Sequence, residues 1–305
     1  MQTKTIRKTI ITKLNEWLET IEDEKLRSDV KKEILVSGGS IASMFLKEDV
    51  NDYDIYLKTP ETLKRLVDYY LKDFPELQSY LGKDKDKLLQ EYFPDVVKVV
   101  NDEEITSAGR IFFENLKEDQ VKIWCNKESN KIVENVEEGL LKYKPKYFSS
   151  NAISLTDKIQ IVLRFTGNNE EIHKNFDFIH ATNYFTFADG LVTNTKALES
   201  LLTKQLSYQG SLYPVTSILR AKKFIKRGWN IGAGEYLKIM FQISQLDLTD
   251  FNVLEEQLSG VDVAYFQLLV DLLRDKKSKD PKFELTYEFL CSLLVKIFDD
   301  DEKSE

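Results

Sequence analysis

Ser37-Gly-Gly-Ser-Ile-Ala-Ser-Met-Phe-Leu-Lys-Glu-Asp-Val-Asn-Asp-Tyr-Asp-Ile-Tyr-Leu57 is the stretch on which the reading of this chain turns. A short β-prone run, Glu33-Ile-Leu-Val-Ser37, stops at Gly38-Gly39-Ser40, where two glycines permit a tight turn into a helix beginning near Ile41. A second strand, Tyr53-Asp-Ile-Tyr-Leu57, follows. Asp52 and Asp54 are two apart, and a strand through both would send their side chains from one face. Two carboxylates so placed repel and call for a compensating cation. Hard oxygen ligands with open positions suit Mg²⁺, which keeps few protein ligands and adds substrate phosphates. The amides of Gly38 and Gly39 and the start of the following helix form a natural anion cradle, with the Ser40 hydroxyl beside it. A phosphate-binding turn followed by a metal-binding pair implies a nucleotide site.

Outward from this segment, the first 33 residues read as helix, with Ile6, Ile10, Leu14, Trp17, Leu18 and Ile21 spaced by three and four. Pro60 sits where a helix over Glu61 to Asp73 starts. Residues from about 74 to 145 read as a mixed insertion, in which Lys83-Asp-Lys-Asp-Lys87 is a solvated face or loop. Strand character returns at 147–155, 158–165 and Phe176–Phe187, the last closed by the turn Asp189-Gly190. Beyond Thr195 the pattern is helical: Ala197–Leu206, Tyr213–Arg227, Ala233–Gln245, Asp262–Leu273 and Tyr287–Phe298. The expected fold class is α+β, a mixed-sheet domain over 1–195 and an all-helical domain over 196–298, with an acidic tail at 299–305.

Composition narrows the chemistry. Across 305 residues, 42% are hydrophobic and 31% charged, the profile of a globular protein. No apolar run approaches the roughly 20 residues that cross a bilayer, and the basic N-terminus has no apolar signal core, so the expected location is the cytoplasm with no membrane partner. Two cysteines and two histidines leave no room for a disulfide framework or a cysteine- or histidine-rich metal site. With 51 acids against 43 bases the net charge is -8, which disfavours wholesale binding to a nucleic-acid backbone. Catalysis is left to carboxylates.

Glycine pair, helix and Asp-x-Asp in this order and spacing resemble the signature of the polymerase-β-type nucleotidyltransferase superfamily, with spacing similar to the head domain of tRNA CCA-adding enzymes and bacterial poly(A) polymerases. The match covers residues 35 to 57. It departs where those enzymes carry Arg-Asp after the glycines, since Ala42-Ser43 stand here. The resemblance implies Asp52, Asp54 and a third carboxylate from a later strand as catalytic ligands of two Mg²⁺ ions, with Mn²⁺ as a substitute. Asp177, flanked by Phe176 and Phe178, is the candidate for the third. Gly38, Gly39 and Ser40 would hold the phosphates of an NTP.

In the helical half, Arg220, Lys223 and Arg227 fall within roughly 60° of one another on a helix, opposite an apolar side of Val215, Ile218, Leu219 and Ile225. They are candidate triphosphate contacts, with Tyr208 and Tyr213 as candidate base-stacking rings. His180 reads as a packed histidine. Phe176-Asp-Phe-Ile-His180, Leu212-Tyr-Pro214 and Arg220-Ala-Lys-Lys-Phe-Ile-Lys-Arg-Gly228 are also similar to nucleotidyltransferase-like proteins of large tailed bacteriophages, which would place the protein in a bacterial host's cytoplasm. Transfer of a nucleoside monophosphate to an RNA 3′ end, with release of pyrophosphate, is the first functional expectation. A protein or small-molecule acceptor, and a binding module without turnover, stay open.

Overall fold

The structure is a computed structural model and describes residues 2–92, 116–124, 130–132 and 142–250, with scattered positions beyond 250. The expected helices at Asp262–Leu273 and Tyr287–Phe298 and the acidic tail lie wholly or mostly outside the described residues. The chain divides into two units, Met1–His173 with Ala181–Ala197, and Lys174–His180 with Leu198–Glu305. Lys174–His180, assigned to the first domain by the sequence, is therefore part of the second.

In the first unit, α1 (Thr3–Glu19) buries the stripe of Ile6, Ile10, Leu14, Trp17 and Leu18. The helical stretch of the first 33 residues is broken into two, because Asp23 caps a separate α2 (Glu24–Glu33) by accepting from the Leu26 amide at 2.9 Å. Next come β1 (Leu35–Ser37), α3 (Gly39–Leu46) and β2 (Tyr53–Tyr56). α4 (Pro60–Leu71) starts as its sequence directs, with Thr59 as cap and Pro60 in the first turn. Glu33 braces that start by accepting from the Thr59 amide at 2.9 Å and from the hydroxyls of Thr59 and Thr62 at 2.7 and 2.8 Å.

An eight-stranded mixed sheet organises this unit. The other strands are β5 (Asn130–Ile132), β6 (Pro145–Ser149), β7 (Ala152–Leu155), β8 (Ile159–Val162), β9 (Tyr184–Thr186) and β10 (Gly190–Val192), in the order β10-β9-β1-β2-β8-β7-β6-β5. β2 and β8 run parallel, and every other pair in this sheet is antiparallel. Val36 pairs with Ile55 and Ser37 with Asp54. Side chains alternate, so Val36, Tyr53 and Ile55 enter the core shared with α1, while Ser37 and Asp54 occupy the other face. From the segment read as an insertion, β3 (Gln78–Leu81) and β4 (Val121–Trp124) pair antiparallel and pack on α4; α5 (Lys85–Tyr92) follows β3. Leu77, Leu81, Val121 and Ile123 bury themselves in the same core.

Phe176–Phe187 does not form one strand. Asp177 sits in a bend, Phe178 makes a single bridge to Tyr208, and a 3-10 turn covers Ile179–Ala181 before β9. Burial overrides the β propensity: Phe178 and His180 enter the second unit's aromatic cluster with Phe224 and Trp229. Within the first unit, α6 (Asn169–His173) precedes this break, and the turn Asp189-Gly190 joins β9 to β10 as expected. After α7 (Thr195–Thr203), the second unit contains β11 (Gln205–Leu206), α8 (Pro214–Lys226), β12 (Asn230–Ile231) and α9 (Ala233–Ile243). The two-residue strands pair parallel, a small addition to the helical half.

Candidate functional site

The turn between β1 and α3 has a backbone that only glycine adopts readily. Gly38 has φ 95° and ψ −150°, and its amide donates to the Ala181 carbonyl at 3.0 Å. A Cβ on Gly38 would stand 3.0 Å from Asp54 Oδ2, so the missing side chain lets the carboxylate approach the turn. No side chain caps α3, which leaves the first amides of the helix, from Gly39 onward, for another acceptor. Ser40 lies in that first turn, 2% exposed, and its Oγ has no hydrogen-bond partner among the described residues. A buried hydroxyl without a partner is costly unless something else supplies one.

Ser37, fully buried, anchors the turn from the strand side. Its Oγ lies 2.8 Å from His173 Nε2, 2.9 Å from the Asn183 carbonyl and 3.1 Å from that of Ala181. One hydroxyl proton serves a carbonyl, so Nε2 carries the imidazole proton and donates to Oγ. Burial drives the His173 pKa down to about 4, which keeps the ring neutral and fixes this arrangement near pH 7. His173 was not singled out from the sequence. It lies 136 positions from Ser37, and nothing local marks the pairing.

Asp54 is on β2, half-buried, on the same face as Ser37; Asp52 immediately precedes the strand and is exposed. The expectation of two aspartates on one strand is thus corrected by one position, since the ladder begins at Tyr53. For Mg²⁺, two carboxylates and substrate phosphates are a sufficient set, and the close approach of Asp54 to the turn fits that chemistry. Among the described residues no group of three or more His, Cys, Asp or Glu is placed to hold a metal.

The remaining candidates belong to the second unit. Asp177 is nearly buried and is ion-paired there: Oδ2 accepts from Arg220 at 2.7 Å and Oδ1 from the Phe178 amide at 3.0 Å. Arg220 therefore serves an acid of its own unit. Lys223 and Arg227 are exposed on and just after α8, with the Arg227 guanidinium 5.3 Å from the centre of the Phe224 ring. Ile225, assigned to the apolar side of that helix, is 43% exposed, and Ala221 is buried instead. Tyr208 and Tyr213 are buried, at 3% and 9% exposure. Tyr208 packs edge-on against Phe178 and donates to Gln242, so it offers no open face to a base. His180 is packed as expected, 4.5 Å between ring centres from Phe224 and 4.8 Å from Trp229, and burial lowers its pKa to about 4.

The model of a family described as "Gad2: Gabija anti-defense 2 family protein" matches residues 9–204. No curated protein matches the sequence. Solved structures similar to the chain include the Thermotoga maritima CCA-adding enzyme complexed with tRNA, at 14% identity and TM-score 0.37, covering 90% of this chain and 57% of that one. A tRNA-processing enzyme with CTP is 14% identical at TM-score 0.36, over 85% of this chain and 57% of that chain. A CCA-adding enzyme with ATP is 13% identical at TM-score 0.36, over 93% and 62%. The chain thus spans less than two thirds of the length of each of these structures.

Proposed function

The chain belongs to the Gabija anti-defense 2 family, and from that premise we propose that its first unit is a nucleotidyltransferase centre built on the Gly38-Gly39 turn and the Asp52/Asp54 pair. The observation that carries the reading is Ser40 Oγ, buried and without a partner among the described residues, beside amides of α3 that no described side chain caps and the turn that Asp54 approaches. A phosphate bound there satisfies both kinds of donor at once. Gly39 and Ser40 receive the triphosphate end of an NTP, and Asp52 and Asp54 would hold Mg²⁺ together with its phosphates. Such an ion would supply charge stabilisation on the attacking and leaving oxygens and lower the pKa of the acceptor hydroxyl. The Gly39 amide and the Ser40 hydroxyl, by fixing the triphosphate, orient the α-phosphate for in-line attack. The acceptor oxygen bonds to the α-phosphorus as the bridge to the β-phosphate breaks; pyrophosphate leaves, and the hydroxyl proton passes to water. An RNA 3′ end is the proposed acceptor, and the anti-defense role named for the family would be exercised through this transfer.

Exchanging Asp52→Asn together with Asp54→Asn should abolish Mg²⁺-dependent incorporation of label from α-labelled NTP into total RNA, a loss of at least about 10³-fold. Incorporation equal to wild type would sink the mechanism. A second reading, a nucleotide-binding module without turnover, is favoured by the one observation that Asp177 is engaged by Arg220. Wild-type binding of NTP with no labelling of RNA, protein or small acceptors would select it.

A further inference from the structure

On the face of the first unit's sheet opposite Asp54, a cleft of about 450 Å³ opens between α1, the start of β2 and the turn joining β7 to β8. Lys8, Lys13 and Lys158 converge on it, with Thr12, Glu16 and Tyr53 completing much of the wall. Among the described residues Glu16 is the one acid in that wall, and it is already engaged: its carboxylate accepts from the Tyr143 hydroxyl at 3.0 Å and lies 3.9 Å from Lys142 Nζ. Lys13 Nζ stands 5.0 Å from the centre of the Tyr143 ring. Burial pulls the Lys13 pKa below its ordinary value, opposed by Asp157 and Glu16 and reinforced by Lys142 and Lys158. Lys8, Lys13, Lys142 and Lys158 thus outnumber Glu16 and Asp157, a local excess of positive charge in a chain of net charge -8.

Lys158 is held in place by its backbone and its side chain. Asp157 and Lys158 are consecutive non-glycine residues in the left-handed region, at φ 58° and 65°, a conformation that costs free energy and persists only where the surroundings impose it. The Lys158 ammonium donates to the Val50 carbonyl at 2.8 Å, in the loop that leads to Asp52.

We propose that this cleft is a second binding site, for a small phosphorylated ligand of about nucleotide size, with Lys8, Lys13 and Lys158 as its anion contacts. Its volume lies within the range of small-molecule sites, and lysine ammoniums are compact charges suited to phosphate. Occupancy competes with the Val50 carbonyl for Lys158, so the ligand acts on the loop ahead of Asp52. The site does not depend on nucleotidyl transfer.

The test titrates the full chain with AMP and, separately, with inorganic phosphate, in EDTA, by calorimetry and by NMR of labelled lysine side chains. The wild type binds both ligands, and the Lys8 and Lys13 signals move. Lys8→Met with Lys13→Met weakens binding about tenfold or more. Lys13→Arg, which keeps the charge, retains most of it, and Asp54→Asn leaves this affinity unchanged. No binding by the wild type, or equal affinity in the doubly substituted protein, overturns the proposal. A loss on Asp54→Asn as large as that of the lysine variant would move the ligand to the Gly-Gly turn and also overturn it. Tighter binding of a short oligoribonucleotide than of AMP through the same lysines would overturn the assignment to a small ligand.

Discussion

Asp54 and Asp177 look alike in sequence, each an acid between aromatic or aliphatic neighbours, yet the two units treat them differently. Asp177 is closed on itself: an arginine and a backbone amide take one oxygen each, and around them Phe178, His180, Phe224 and Trp229 pack ring on ring. Asp54 is half-buried at a glycine turn, next to a helix start and a buried hydroxyl that, among the described residues, have neither a side-chain cap nor a hydrogen-bond partner. The carboxylate of Asp177 is satisfied within its own unit, although His180 Nδ1 and Trp229 Nε1 in the same ring cluster are buried without a hydrogen-bond partner among the described residues. The first region differs in where its partnerless group lies: Ser40 Oγ stands in the first turn of a helix, beside backbone amides that suit an anion, whereas those of the second lie among aromatic rings.

Removing the partner of Asp177 is the severest way to break this contrast. Arg220→Ala leaves a carboxylate whose side chain is only 11% exposed with its amide partner alone. A loss of about 2 kcal/mol is expected, less than for a fully buried pair because Arg220 is 40% exposed. Urea unfolding followed by tryptophan fluorescence, with Trp17 and Trp124 replaced by Phe so that Trp229 alone reports, reads it. Undiminished stability together with lost NTP binding would show that Arg220 serves a ligand and would erase the distinction between the two acids. A smaller effect separates two glycines. Gly38→Ala forces a Cβ against Asp54 Oδ2 at φ 95°, while Gly228→Ala, at φ 79°, meets nothing within 4 Å. Both lose about 1 kcal/mol for the backbone, but only the Gly38 variant should also lose nucleotide incorporation. Equal activity in the two variants would deny the turn a role.

The contrast was half legible in the sequence. Gly38-Gly39 and the following strand are a local pattern, and local patterns survive folding, so β1, α3 and β2 stand nearly where periodicity puts them. Asp52 slipped off the strand by one residue because ladder ends depend on the neighbouring strand. Phe176–Phe187 has β propensity throughout, so Asp177 reads as a strand residue; the break there accompanies the packing of Phe178 and His180 on aromatic residues 224 and 229, far along the chain. The cationic stripe on α8 suits a phosphate by its sequence alone, yet its first arginine has an acid 43 positions away. His173 and Lys158 act through partners 136 and 108 residues distant, and single-sequence patterns hold no record of such pairs.

Ser40→Ala gives the smallest effect and the sharpest test of what the first region is for. Most substitutions that remove a buried hydrogen-bonding group destabilise, because they orphan its partner. Ser40 Oγ has no partner among the described residues to orphan, so removing it relieves an unsatisfied group, and the unfolding midpoint should hold or rise slightly. NTP affinity measured by calorimetry should meanwhile fall about fivefold, the worth of one hydrogen bond of roughly 1 kcal/mol. Stability and affinity then move in opposite directions, which a merely structural serine cannot produce. If stability falls and affinity holds, Ser40 belongs with Asp177 among the groups the fold satisfies for itself, and the uncapped start of α3 loses its claim on the phosphate.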